Sequence, residues 1–370
     1  MKILLGLGEP KKKFVYFKKK KILKKMQDLN QYPLICGKKK FKKVILKWIN
    51  KRNNIFCKKS FTKNIIPSLG NKEAIYTILN LIYKKKKKTS VISPDPYYPS
   101  YIIPKLFFNK KIIFIYSKNR KSFMKNFRKI KKFKKILVMF ICSPNNPLGY
   151  CLSKKNWIEI VKKSIKENFF IISDECYSEI YLNKKPISCI KIIEKYFNSY
   201  YNNVFIINSL SKTSSVPGLR SGFIFSSKKN IKKLNYIRSY NGANLSNFNQ
   251  YLSSKLWLDF ERTKKIRNRY RKIFFYSKKI LNKKKINYTV PDGGFCIWLD
   301  IKKTNLDSNK FCKKIKKKYN IVIYPGSKFS NNKKNFYKIR ISLVESKKKC
   351  IYALKKISNF IHEQIKNKNK

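Results

Sequence analysis

Ser209-Leu210-Ser211-Lys212-Thr213-Ser214-Ser215-Val216-Pro217-Gly218-Leu219-Arg220-Ser221-Gly222 comes just after an apolar run at 204–207 and just before another at 222–225. One lysine stands among small hydroxyl residues, with an arginine eight positions on and glycines close by. A lone lysine carries no signal in this chain, where 90 of 370 residues are basic and only ten of those are arginine. The neighbours restore the signal. Ser209, Ser211 and Arg220 can converge on a phosphate while Lys212 offers an amine. A polar turn after an apolar strand also belongs at the carboxyl end of an open α/β sheet, where such sheets bind ligands.

Working outward, short apolar runs occur at 90–92, 111–115, 136–141, 169–172, 204–207 and 222–225. Amphipathic stretches lie between or beside them at 72–83, 154–166 and 228–239. This alternation predicts an α/β fold: a mainly parallel large-domain sheet flanked by helices, with a smaller α+β domain. The stretch 247–282 has neither Gly nor Pro and reads as a long helical region leading to the second domain. From 286 to 370, strand-like runs at 295–299, 321–323 and 338–343 precede a terminal helix. The large domain is placed at 36–255. The small one combines 1–35 with 256–370. With 43% hydrophobic residues, the chain can fill one large or two ordinary cores.

The formal charge is +73, with only 17 acidic residues, a balance that points first to nucleic acid. The lysines, however, are spread from end to end, with runs at 18–21 and 84–88 and a Lys-rich tail, which read as solvated faces or loop edges. Ile, Asn, Phe and Tyr are inflated too, and alanine occurs three times. Drift towards A/T-rich codons produces that pattern, so no specific nucleic-acid partner is expected. Self-repulsion and adhesion to polyanions at low salt remain physical consequences. A degenerate chain that holds nucleic acid through its lysines is the rival reading, and it predicts a steep salt dependence of binding. Nine cysteines fall at 36, 57, 142, 151, 176, 189, 296, 312 and 350, with no C-x-x-C pair, and His362 is the one histidine. No metal site and no histidine-based nucleophile are expected. Scattered thiols suit a reducing, cytoplasmic setting. The apolar start at 1–10 is too short for a signal segment, and no run reaches the roughly 18 apolar residues of a membrane span.

Polar residues at strand ends give the chemistry. Asn146 follows the run ending near Cys142, Asp174 follows 169–172, and Ser209 follows 204–207. Three independent candidates thus fall on one sheet edge. Three of the 17 acidic residues crowd into Asp174-Glu175-Cys176-Tyr177-Ser178-Glu179. An acid directly after an apolar strand is partly desolvated and stays ionised only beside a cation. A protonated pyridine nitrogen is such a cation. Tyr177 and Asn146 can hold a ring oxygen from either side. A carbonyl-reactive amine, a phosphate cradle and an acid for a pyridine nitrogen are together what pyridoxal 5′-phosphate requires. The plain alternative for Asp174 is a helix cap.

These motifs resemble the class I/II aminotransferases of fold type I. Ser143-Pro144-Asn145-Asn146-Pro147-Leu148-Gly149 is similar to the family's P-N-N-P-T-G loop, with Leu148 in place of Thr. Asp174 to Tyr177 is similar to D-E-x-Y, and Ser209 to Arg220 to S-x-S-K…R. The intervals of 28 residues from Asn146 to Asp174 and 38 from Asp174 to Lys212 also suit the family.

The resemblance implies a covalent link between Lys212 and the cofactor. Lys212 then acts as the base that moves a proton at the substrate α-carbon. It implies that Asp174 pairs with the ring nitrogen, that Asn146 and Tyr177 hold the ring oxygen, and that Ser209, Ser211 and Arg220 bind phosphate. Gly70-Asn71-Lys72 is similar to the Gly-rich turn whose N–H groups meet the phosphate, with Asn71 where relatives carry Ser or Thr. Tyr98 is implied on the ring face. Tyr32 is implied to reach the phosphate of a neighbouring subunit in a homodimer. Arg340 is implied to grip the substrate α-carboxylate, with Gly8 and Asn146 on the substrate side. The arm that usually precedes Gly8 is missing or trimmed, with weaker dimer clasping expected. Within the family, Ser173 to Tyr181, Ser214 to Phe223, Tyr236 to Gly242 and Pro291 to Phe295 most resemble succinyldiaminopimelate aminotransferases of lysine biosynthesis. The implied reaction takes an amino group from glutamate to N-succinyl-2-amino-6-oxopimelate. Related specificities, acetylornithine or general amino acids, are the alternative.

Overall fold

A computed structural model describes residues 2–11, 19–83 and 89–367. Among these, seven strands form the large sheet: β1 Ile65–Ser68, β2 Ser90–Asp95, β3 Lys111–Tyr116, β4 Ile136–Cys142, β5 Phe170–Asp174, β6 Val204–Ser209 and β7 Gly222–Phe225. Their order across the sheet is β1-β7-β6-β5-β4-β2-β3. Every pairing from β3 to β6 is parallel, and β7 runs antiparallel to both β6 and β1. The expected α/β fold with a mainly parallel sheet is therefore present.

Strand β4, Ile-Leu-Val-Met-Phe-Ile-Cys, is buried from end to end. A parallel strand covered on both faces reads as a continuous apolar run for this reason. Successive side chains point to opposite faces, so Met139 and Ile141 enter one core while Val138, Phe140 and Cys142 enter the other. Helices Lys39–Asn53 and Lys154–Glu167 close the first core with Phe41, Trp48, Trp157 and Ile160. Helices Asn71–Tyr83 and Lys228–Asn241 close the second with Ala74, Ile78, Ile231 and Leu234. Each fully buried side chain of the Ile or Leu type contributes about 1.5–3 kcal/mol. Local signals set the ends of these helices. Ser153 and Asn156 form a reciprocal cap at the start of Lys154–Glu167, and Asn168 ends it in the left-handed region. Asn54, Asn109, Asn305 and Asn320 take the same left-handed role elsewhere, a position that Asn tolerates better than most residues.

The small unit holds a four-stranded antiparallel sheet in the order Tyr324–Pro325, Lys338–Ser342, Cys296–Asp300, Tyr288–Thr289. Helices Ser308–Tyr319 and Lys347–Lys366 pack with it around a third core. The chain start joins this core. Ile3–Leu4 pairs in parallel with Ile321–Val322, and Ile3 and Leu5 are buried. That anchoring delivers Gly6 and Gly8 to the edge of the large sheet.

Four features depart from the sequence reading. Strand β1 was not expected, because Pro67 interrupts its pattern; it pairs only with β7, and an edge strand tolerates proline. Strand β2 extends through Pro94 to Asp95, since its pairing with β4 ends at Ile92 and leaves Pro94 unpaired on that side. The region 247–282 is two helices, Asn247–Trp257 and Phe260–Lys283, because the Asp259 carboxylate accepts the Arg262 N–H and starts a new helix. The strand in the run 321–323 stops at Val322, and a separate strand, Tyr324–Pro325, follows in a different sheet. The lysine run 84–88 lies outside the described residues. No helix among the described residues is long and apolar enough to cross a membrane.

Candidate active site

A cavity of about 460 Å³ opens at the carboxyl ends of β4, β5 and β6. Asn146, Asp174, Tyr177, Ser209, Ser211, Lys212 and Arg220 line it from those strand ends. Asn71, Lys72, Tyr98, Arg340 and Gly8 also line the wall. Gly70 lies just behind, at φ +95°, where a Cβ would stand 3.0 Å from the Arg220 guanidinium. Tyr32 is 98% exposed and outside this cavity.

Asp174 sits on the cavity floor, 2% exposed. Its Oδ1 accepts hydrogen bonds from the Asn71 side-chain amide at 2.6 Å and from the Cys176 N–H at 3.1 Å. Its Oδ2 accepts one from the Tyr101 hydroxyl at 3.0 Å. Burial pushes the carboxyl above the ordinary carboxylate range, and these hydrogen bonds oppose it. Among the described residues, no Lys or Arg forms an ion pair with Asp174.

Lys212 lies in the short helix Leu210–Thr213 that follows β6, and its Nζ donates to the Gly8 carbonyl. Burial draws its pKa below that of an ordinary lysine; the Arg340 charge adds to the effect, while Cys176, Cys296 and Glu9 oppose it. A neutral amine is thereby easier to reach, which proton transfer requires. Burial outweighs the neighbouring Arg340 charge here.

Arg340 projects from Lys338–Ser342 and is buried. Its Nη1 donates to the Asn146 side-chain oxygen at 3.1 Å and its Nη2 to the Gly6 carbonyl at 2.7 Å. Its guanidinium carbon stands 4.3 Å from the Phe329 ring centroid. Arg220 adopts φ +50° and donates to the carbonyls of Pro217 and Leu69, each at 2.7 Å. Tyr177 meets Phe295 edge to face at 5.2 Å, and Tyr98 meets Tyr101 in the same manner at 5.6 Å.

Sequence reasoning missed Tyr101 and Lys328. Tyr101 stacks on Phe140 at 4.6 Å and places its hydroxyl on Asp174. The signal was a third tyrosine three residues after Tyr98, one turn of the 3-10 helix Pro99–Ile102 away. Lys328 lines the cavity near Arg340 and Phe329, with its ammonium 4.3 Å from the Tyr324 ring centroid. Nothing distinguishes it in a lysine-rich sequence.

The residues present fit pyridoxal 5′-phosphate. A buried carboxylate without a cation suits a protonated ring nitrogen. The N-terminus of Asn71–Tyr83, a glycine turn and Arg220 suit a phosphate. Two buried polar atoms at the wall, Asn71 Oδ1 and Arg340 Nε, have no hydrogen-bond partner among the described residues. Those atoms leave capacity for a polar guest.

Comparisons with known proteins agree with this chemistry. The family model described as aminotransferase class I and II matches residues 1–357. An aspartate aminotransferase of Pyrococcus horikoshii is 29% identical over 306 residues, covering 80% of this chain and 74% of that protein. An LL-diaminopimelate aminotransferase of Aquifex aeolicus is 25% identical over 364 residues, covering 96% of this chain and 90% of its own. The crystal structure of an aminotransferase from Neisseria meningitidis superposes with a TM-score of 0.88 at 28% identity, covering 98% of this chain and 92% of that one.

Proposed function

We propose that this chain, which belongs to the class I and II aminotransferases and works with pyridoxal 5′-phosphate, moves an amino group from glutamate to N-succinyl-2-amino-6-oxopimelate. The observation that carries the reading is the single cavity shared by Lys212, Asp174, Arg220 and Arg340. When bound, the cofactor supplies a carbonyl that takes up an amine and a ring that takes up the electron pair released at the substrate α-carbon.

The protein's own residues do the rest. Lys212, its pKa lowered by burial, shuttles the proton at the α-carbon. Asp174 keeps the ring nitrogen protonated, and Asn146 and Tyr177 hold the ring oxygen. Ser209, Ser211, Arg220 and the N–H groups at 70–72 bind the phosphate. Tyr98 covers the ring face. Arg340 turns its planar fork from Asn146 and Gly6 to the substrate α-carboxylate, which a lysine's point charge would orient less well. Lys328 adds positive charge on the substrate side, suited to a keto acid with a second carboxylate. Tyr32, exposed and remote from its own cavity, is available to the phosphate end of a second copy in a homodimer.

A second specificity is supported by the aspartate aminotransferase of Pyrococcus horikoshii: exchange between short dicarboxylic acids. Reconstitution with pyridoxal 5′-phosphate, followed by assay with glutamate and each keto acid, separates the two. Formation of 2-oxoglutarate with the succinylated keto acid supports the proposal. Turnover confined to oxaloacetate moves the assignment to the second specificity, and no turnover with any keto acid ends both. A Lys212→Ala control is expected to hold cofactor weakly and to lose turnover by several orders of magnitude.

A further inference from the structure

We infer that Arg238 is a positioning residue for the phosphate end of the cofactor site, acting through Glu73 and the turn at 67–72 without itself reaching the cavity. Arg238 belongs to helix Lys228–Asn241 and is 1% exposed. It is one of ten arginines in a chain where lysine fills most cationic positions. Its Nη2 donates to both Glu73 carboxylate oxygens, at 2.8 and 3.0 Å, and its Nη1 donates to the Pro67 carbonyl.

Glu73 stands in the first turn of Asn71–Tyr83 and passes this restraint on. Its Oε2 accepts the Leu69 N–H at 2.9 Å, and its Oε1 accepts the Thr77 hydroxyl at 2.6 Å. The Leu69 carbonyl accepts from Arg220 at 2.7 Å. Both backbone groups of Leu69 are therefore fixed, one from the buried side and one from the cavity side. The turn at 67–72 is clamped between two arginines, and Asn71 and Lys72 at its end line the cavity.

The clamp also has an electrostatic role. Glu73 alone would place a negative charge close to the site of an incoming dianion. The Arg238 guanidinium, reaching both oxygens through Nη2, compensates that charge while leaving the carboxylate free to hold Leu69. A pair with its cation buried and its carboxylate part-buried loses more when one partner is removed than when both are neutralised together.

The inference rests on reading 67–72 and Arg220 as the phosphate end, so the test contains a reference for that reading. Binding of pyridoxal 5′-phosphate and of pyridoxal, which lacks the phosphate, is titrated by absorbance on the full-length cofactor-free protein and its variants. Arg220→Met is the reference and is expected to weaken the phosphorylated ligand selectively. If it does not, the assignment of the phosphate end fails, and this inference with it.

Given that reference, Arg238→Met is expected to weaken pyridoxal 5′-phosphate by about tenfold or more, as truncation of one partner of a buried charge pair does. Pyridoxal affinity is expected to change little. Arg238→Lys restores the charge but not the fork and is expected to fall between. Adding Glu73→Gln to Arg238→Met removes the stranded carboxylate and is expected to recover part of the loss. Equal weakening of both ligands means a merely structural role and overturns the inference. So does unchanged phosphate affinity, or a double variant whose losses simply add. Should Arg238→Met fail to fold, Arg238→Lys and Glu73→Gln carry the same comparison.

Discussion

Arg52 is a buried cation and Lys212 a part-buried one, and their surroundings differ in what is left unmatched. Arg52 Nε lies 2.9 Å from Glu179 Oε1 as an ion pair off the hydrogen-bonding line. Its other nitrogens donate to the Asn53 side chain at 2.7 Å and to the carbonyls of Ser178 and Pro186, each at 3.1 Å. Arg267 adds a second cation to Glu179 at 3.3 Å. Around Lys212, the buried Asp174 has no ion-pair partner among the described residues, and burial disfavours the charged forms of both groups. One region pairs its opposite charges within the protein, although Arg52 Nε and Glu179 Oε1 make no hydrogen bond among the described residues. The other holds charges ready for a guest, which lowers the stability of the empty site.

The sharpest way to break this contrast is Lys212→Met. Turnover is expected to fall by about four orders of magnitude or more, since the covalent link and the base proposed for Lys212 are lost together. The cofactor-free variant should nevertheless be more stable than the parent near neutral pH. The folded-state pKa of Lys212 lies below its unfolded value. Burying the ammonium therefore costs stability at pH below the folded pKa, and that cost disappears as pH rises through it towards the ordinary lysine value. Denaturation midpoints of the cofactor-free proteins across that range should converge with rising pH. A less stable Lys212→Met at neutral pH would mean that the cavity charges are as well matched as those of Arg52.

Arg52→Met tests the other side. Removing one member leaves Glu179 buried with only Arg267, a change that destabilises by about 3–5 kcal/mol. Chemical denaturation of the cofactor-free protein measures it. If Arg52→Met matches Lys212→Met in sign, the two regions are not distinct.

Arg340→Lys should act on function, with smaller size. It keeps the charge and loses the fork, so kcat/KM for glutamate is expected to fall about ten- to hundredfold, the worth of one or two hydrogen bonds to a charged group. A steady-state comparison reads this directly. An unchanged kcat/KM would remove Arg340 from the substrate side.

Sequence order made one of these regions readable and hid the other. Asn146, Asp174 and Ser209 stand within a few residues after apolar runs, and a parallel sheet puts such positions on one edge. Local pattern and topology suffice there. Arg340 and Gly8 come from the far ends of the chain, and only the family resemblance drew them to the same place. Pairs such as Arg52 with Glu179 and Arg238 with Glu73 join residues more than a hundred positions apart, with no local pattern to mark them. Strand β1 was lost for a related reason: the pairing that tolerates Pro67 exists only once β7 lies beside it. The helix break at Asp259 had a local signal, an acid able to cap, but a sequence free of Gly and Pro concealed it.

The smallest expected effect concerns Tyr101, the cavity-floor contact that sequence reasoning missed. Its hydroxyl donates to Asp174 and so favours the carboxylate, working against burial. Tyr101→Phe keeps the ring stacked on Phe140 and removes the donor. The Asp174 pKa should then rise further, and the acid limb of kcat/KM should move to higher pH. A neutral hydrogen bond is worth about 0.5–1.5 kcal/mol, so the displacement is expected to be about one pH unit or less. The stability of the cofactor-free protein follows the same sign. A carboxyl whose folded pKa is raised contributes stability while protonated and loses it as pH rises through the folded value. The variant should therefore lose more than the parent over that interval. An acid limb that stays in place would show that Asn71 and the Cys176 N–H fix Asp174 without Tyr101.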